Sequence, residues 1–168
     1  MDPRTIFGLG LIALSALLIV AVVQGGVFWG QRLATTEATL SAQAFAELVS
    51  REVAQAVPPG NSEALVHISN HGRTLTFNQA PHAVASQLIP CQISAVPLSN
   101  GLFSINVQGV RQGSIFLHDL LFQYFPADKA SLEGGGIVRV TFWAADTTGS
   151  VRLPSVVVKS IDGCGGGQ

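Results

Sequence analysis

Charge is what this chain has least of. Lys, Arg, Asp and Glu make up 11% of its 168 residues, while 48% are hydrophobic; ordinary soluble domains carry about a quarter charged residues. The nine basic residues are scattered and the formal net charge is −1. No basic stripe exists to neutralise a run of phosphates, so nucleic acid is excluded as an expected partner. Polarity comes instead from Ser, Thr, Gln and Asn, which let a surface lie beside identical neighbours without like-charge repulsion.

Cysteine is nearly as scarce. Cys91 and Cys164 form no CxxC pair, which leaves neither a zinc knuckle nor a thioredoxin-type motif. In an exported chain the two can form one disulfide closing a loop of about 73 residues, worth roughly 4 kcal/mol on the loop-entropy model, and that bond would tie down the glycine-rich tail, 163–167. Two unpaired thiols are the alternative. Catalytic signatures are missing too: there is no GxSxG, HExxH, GxxxxGK or GxGxxG. His67 and His71 have the spacing of a helical metal pair but fall across a strand and its turn, and His82 and His118 stand apart from them. The carboxylates Asp119, Asp128, Glu133, Asp146 and Asp162 are dispersed, and Asp119 beside His118 lacks a nucleophile turn. No catalytic residue, metal or cofactor is expected, and the chain reads as a non-enzyme.

What the chain does have is a long apolar run. Residues 5–31 carry no charge and exceed the roughly 20 residues that cross a bilayer core as a helix. The run holds Ile6, Phe7, Leu9, Leu11, Ile12, Leu14, Leu17, Leu18, Ile19, Val20, Val22, Val23, Val27 and Phe28. Leaving these in water forfeits on the order of 20 to 40 kcal/mol, so lipid or other protein must cover them. Gln24-Gly25-Gly26 is followed by Val27, Phe28 and Trp29 rather than by a small-residue cleavage site, which argues against a removable signal peptide. Arg4 on one side and Arg32 on the other leave the orientation undecided by charge.

Beyond Arg32, LATTEATLSAQAFAELVSREVAQAV has neither Gly nor Pro. Apolar residues recur at Ala38, Ala42, Phe45, Val49, Val53 and Ala56, a helical stripe that Leu40, Ala44 and Leu48 are expected to widen. Pro58-Pro59 stops the pattern. A single helix over 3–57, roughly 80 Å long, is therefore predicted, apolar all round over 1–31 and amphipathic over 32–57. Gly8, Gly10, Ala13, Ala16 and Ala21 would let parallel helices approach closely, and Gly25, Gly26 and Gly30 mark the expected place for a bend.

Residues 58–168 read as a β-rich head. Strands are predicted over 64–69, 73–78, 85–94, 102–107, 114–122, 137–144 and 151–160, with turns at Asn70-His71-Gly72, Asn100-Gly101 and Thr147-Thr148-Gly149. Gly134-Gly135-Gly136 suggests a loop, and Pro154 an edge position or bulge. The fold class is α+β: a long N-terminal helix and an antiparallel head, either sandwich-like or one strongly twisted sheet, with strand order left open.

The run TIFGLGLIALSALLIVAVVQGGVFWG, followed by the amphipathic half and a β-rich head, resembles the type IV pilin family. Thr5 stands where many bacterial pilins carry a glutamate. With the low charge and the β-only head, this looks more like archaeal pilins and archaellins. The resemblance implies a membrane-inserted precursor, an assembly platform with its ATPase, and a cell-surface filament for adhesion or motility. Many copies would pack through the fourteen apolar side chains named above, from Ile6 to Phe28. A minor pilin or pseudopilin of a secretion or pilus machine, and a lone membrane-anchored extracytoplasmic binding domain, are the other readings.

Overall fold

In a computed structural model of the chain, residues 3–57, 66–79, 88–127 and 135–161 are described, with helix side chains from Leu14 onward. Helix α1, Pro3–Val53, is unbroken. It opens on a proline at its first helical position, where the missing N–H has no partner to lose. It continues as helix through Gly25, Gly26 and Gly30, where a bend or local melting was expected, so the helix does not melt there.

The helix ends four residues short of the predicted 57. Gln55 N donates to Glu52 O and Ala56 N to Val53 O, tightening the last turn. Ala56 then bridges Gln79 and Val57 N donates to Asn78 O at 2.8 Å. The free edge of a strand thus claims the backbone before Pro58, which lies outside the described residues, as does 58–65.

Seven strands follow: β1 Val66–Ser69, β2 Thr74–Gln79, β3 Ile89–Pro97, β4 Phe103–Val107, β5 Val110–Pro126, β6 Gly136–Ala145 and β7 Arg152–Ile161. They form one antiparallel sheet in sequence order, β1 to β7, which is the strongly twisted alternative rather than two separate stacked sheets. Strand β5 makes the curvature. At 17 residues it is far longer than the predicted 114–122, and its ladder slips twice, against β4 between Ser104 and Ile105 and against β6 between Leu117 and Asp119. Bulges add residues on one strand and bend it. The sheet curls far enough that β1 and the turn after it touch β5 across three intervening strands, and Arg73 pairs with Asp119 at 3.1 Å.

Turn chemistry sets the register. Asn70, His71 and Gly72 all take positive φ between β1 and β2. The β4–β5 hairpin, missed in the sequence, turns on Gln108 (φ 51) and Gly109 (φ 82), a two-residue loop of the kind that needs left-handed backbone at both positions. Gly136, expected in a loop, opens β6. A Cβ there would lie 2.5 Å from the Tyr124 hydroxyl and 2.7 Å from Phe125 O, so only glycine fits. Gly135 O accepts from Ala127 N, and Gly134 lies outside the described residues. Pro154 sits in β7, the terminal strand of the sheet, as the missing donor requires.

The concave face of β5, β6 and β7 holds the second half of α1. Phe45, Val49, Val53 and Ala42 enter one cluster with Leu120, Phe122, Val140 and Phe142, and Phe45 meets Phe142 edge-on with ring centroids 4.8 Å apart. Strand β7 also packs on the helix, with Leu153, Val157 and Ile161 joining the same cluster. Phe45→Ala is expected to cost about 3–5 kcal/mol through the cavity left in this cluster, measured by chemical denaturation of the detergent-solubilised chain. Replacing the exposed Gln43 should change stability by less than about 0.5 kcal/mol.

Candidate functional site

Among the described side chains, the first half of the helix is left almost bare by its own chain. From residue 14 to residue 33 every side chain is exposed except Gly25, which is intermediate. Leu14, Leu17, Leu18, Ile19, Val20, Val22, Val23, Val27 and Phe28 keep between 52% and 71% of their surface open. These are the described members of the predicted interaction set; the side chains of Ile6, Phe7, Leu9, Leu11 and Ile12 lie outside the described residues. Covering the nine described side chains alone is worth on the order of 10 to 25 kcal/mol. The helix is long and apolar enough to cross a membrane, and its apolar window is wholly uncovered by the fold.

Coverage starts at Ala38, the first buried helix residue. Three polar contacts fix the rod at that point and beyond. Ser41, buried, donates to Phe116 O and accepts from Phe116 N, both at 2.9 Å, satisfying a β5 backbone pair that lies past the end of the β6 ladder. The Glu37 carboxylate accepts from Thr147 N at 3.3 Å and Thr147 Oγ1 at 3.0 Å. At the far end, Gln79 Nε2 donates to Glu52 O at 3.0 Å and to its carboxylate at 3.1 Å.

The turn that contains Thr147 is closed by Asp146, a buried carboxylate. It accepts from Thr148 Oγ1, from Ser150 Oγ at 2.9 Å and from Val151 N at 2.8 Å. Burial alone would push this carboxyl up, but the donors from Thr148, Val151 and Ser150 override it and hold it well below the usual carboxylate range. Gly149, at φ +75, lets the turn close. His118, the residue left unpaired by the β5–β6 bulge, comes within 3.1 Å of Val151 O.

The second half presents the stripe the sequence suggested, except at Leu40. Phe45, Leu48, Val49 and Val53 are buried as expected, but Leu40 is 59% exposed and Leu33 64%. Five residues from Phe45, Leu40 lies about 140° round the helix and points away from the head. The outward line is Trp29, Leu33, Thr36 and Leu40, followed by Gln43, Glu47 and Arg51. Side-chain type alone could not separate Leu40 from Leu48; the head's position does.

Cys91 is a buried free thiol on β3, with Sγ 4.0 Å from the Glu52 carboxylate; Cys164 lies outside the described residues. Burial, then the Glu52 charge, push the thiol up to about 11, so it is a poor nucleophile at neutral pH. His67 and His71 are exposed on β1 and its turn, and no group of metal-ligating side chains occurs among the described residues. Asp119 is engaged by Arg73 and by Leu120 N. Asp128, Glu133, Asp162 and His82 lie outside the described residues.

Comparison with family models, with curated proteins and with solved structures returned no match.

The depressed Asp146 carboxyl has a signed consequence. Its folded value lies below the unfolded one of about 3.9, so its contribution is complete above that value and is lost as pH falls through the folded value. Asp146→Asn is expected to lower the melting temperature at pH 6 and to flatten its decline between pH 5 and pH 2, followed by thermal denaturation across that range. An unchanged decline would remove Asp146 as the acid-labile lock.

Proposed function

We propose that this chain is a structural subunit that polymerises through its N-terminal helix into an extracellular filament of the type IV pilin kind, used for adhesion or motility. One observation carries the reading: a rod about 27 Å long from Leu14 to Gln31, at 1.5 Å per residue, carries no charge and is exposed along its length apart from the partly covered Gly25. The apolar side chains provide the attraction once the rod leaves lipid, and identical rods supply one another's cover. The small residues Ala16, Ala21, Gly25, Gly26 and Gly30 are open to approach by a neighbouring backbone. A membrane, an assembly platform and an ATPase are the partners this reading requires before assembly.

The same rod would also serve a lone anchor for the head, since its length alone suffices to span a bilayer. The two readings part on contacts between copies. Leu18→Asp is expected to abolish filaments while leaving the head folded, because Leu18 is 59% exposed and touches none of the head. Electron microscopy of sheared surface material, with circular dichroism of the detergent-solubilised variant, checks this. Filaments of normal abundance from the variant would overturn the polymerisation reading.

A further inference from the structure

The apolar surface does not stop where the charge-free run stops. Leu33 and Leu40 stand well exposed on the face of α1 that points away from the head, one and three turns past Trp29 and level with the start of the head's own coverage at Ala38. In an amphipathic surface helix these positions carry polar residues. The threonines around them are also less polar than their names. Thr35 Oγ1 donates to Gln31 O at 2.8 Å, Thr36 Oγ1 to Arg32 O at 2.9 Å, and Thr39 Oγ1 to Thr35 O at 2.8 Å. Each hydroxyl proton is already satisfied inside the helix, so covering these side chains strands no donor.

Of the two charges nearby, Glu37 is held by the head, while Arg32 is exposed and makes a ring contact. The Arg32 guanidinium lies over the Phe28 ring, 4.5 Å from its centroid, and Glu37 is bound to the β6–β7 turn. A shallow groove of about 420 Å³ runs between Phe28, Arg32, Thr36, Thr39 and Leu40. Past Leu40 the same line turns to Gln43, Glu47 and Arg51, all exposed.

We infer that the self-association surface extends along the outward face of α1 to Leu40 and ends there, and that its occupant is the apolar half-helix of a second copy. This rests on the filament reading. Lipid is the wrong length: from Thr5 to Leu40 the rod spans roughly 50 Å, while a bilayer core is about 30 Å, so lipid that covers the beginning leaves Leu33 to Leu40 bare. The copy's own uncovered rod is uniformly apolar and has no charge between Leu14 and Gln31. It brings no charge of its own to this stripe, and the long side chain of the exposed Arg32 can carry its guanidinium out to solvent. Because the apolar line continues from Trp29 without a gap, one staggered parallel neighbour covers both parts.

Thiol labelling with a maleimide tests this in the full-length protein, using L40C and R51C and the parent chain as background for Cys91 and Cys164. Both substituted positions are exposed in the single chain, so neither variant threatens the fold. In assembled filaments L40C is expected to label at least about tenfold more slowly than in the detergent monomer, the mark of a site reached only by local opening. R51C is expected to label alike in both. Assembly with L40C as reactive as in the monomer overturns this inference alone, and equal protection of R51C overturns the boundary at Leu40. Protection of L40C in the unassembled chain in phosphatidylcholine vesicles assigns the stripe to lipid and also overturns it. A chain that forms no assembly under any of these conditions overturns the filament reading together with it.

Discussion

One continuous helix has to satisfy two surroundings, and everything else in the molecule is arranged around that constraint. A rod of 51 residues cannot be sheltered by a head of this size along its whole length. The head therefore takes the second half, and the first half is left to whatever lies outside the chain. The division falls at Ala38, where the first helix residue becomes buried. It is sharp because three side chains, Glu37, Ser41 and Glu52, each bond to a different part of the sheet. These contacts fix the direction in which the rod leaves the head. On the proposed filament reading that direction has to be constant from copy to copy, since a small change in angle at the head becomes a large displacement at the tip.

The sheet achieves its grip through curvature. An open meander of seven strands would be flat enough to touch the helix only along its middle. The two register shifts in β5 bend that strand, so that β5, β6 and β7 form the bed of the helix while β1 to β4 turn over toward it. Phe116, paired with β4 on one side, lies past the end of the β6 ladder on the other, and Ser41 supplies both bonds there. Strand curvature and helix attachment are thus one arrangement. The Asp146 carboxylate belongs to it as well, because the turn that Asp146 closes is the turn that holds Glu37.

Much of this was legible in the residues. Residues 5–31 lack charge, and that absence identifies an apolar rod whatever the fold. Alternation of apolar and polar residues located all seven strands, and Pro154 marked β7 as an edge. Other features were hidden for identifiable reasons. Gln108-Gly109 is a weaker turn signal than Asn-Gly, so the sequence does not reveal the β4–β5 hairpin and shows only about half of β5. Gly136 resembled loop punctuation because a glycine required by close approach to Tyr124 cannot be told from one required by a turn.

The sequence by itself determined that a rod would exist, that one half would be apolar all round, and that a β-rich head would follow it. Composition and periodicity suffice for those statements because they depend only on which side chains avoid water and at what spacing. Only the tertiary structure decided which way the second half faces. Leu40 and Leu48 are the same residue eight positions apart, yet one is exposed and the other buried. The reason is geometric: the head covers less than the full circumference of the helix, and the arc it leaves open is set by the bend in β5 and the bonds at Glu37, Ser41 and Glu52, none of which lies near Leu40 on the helix's outward line.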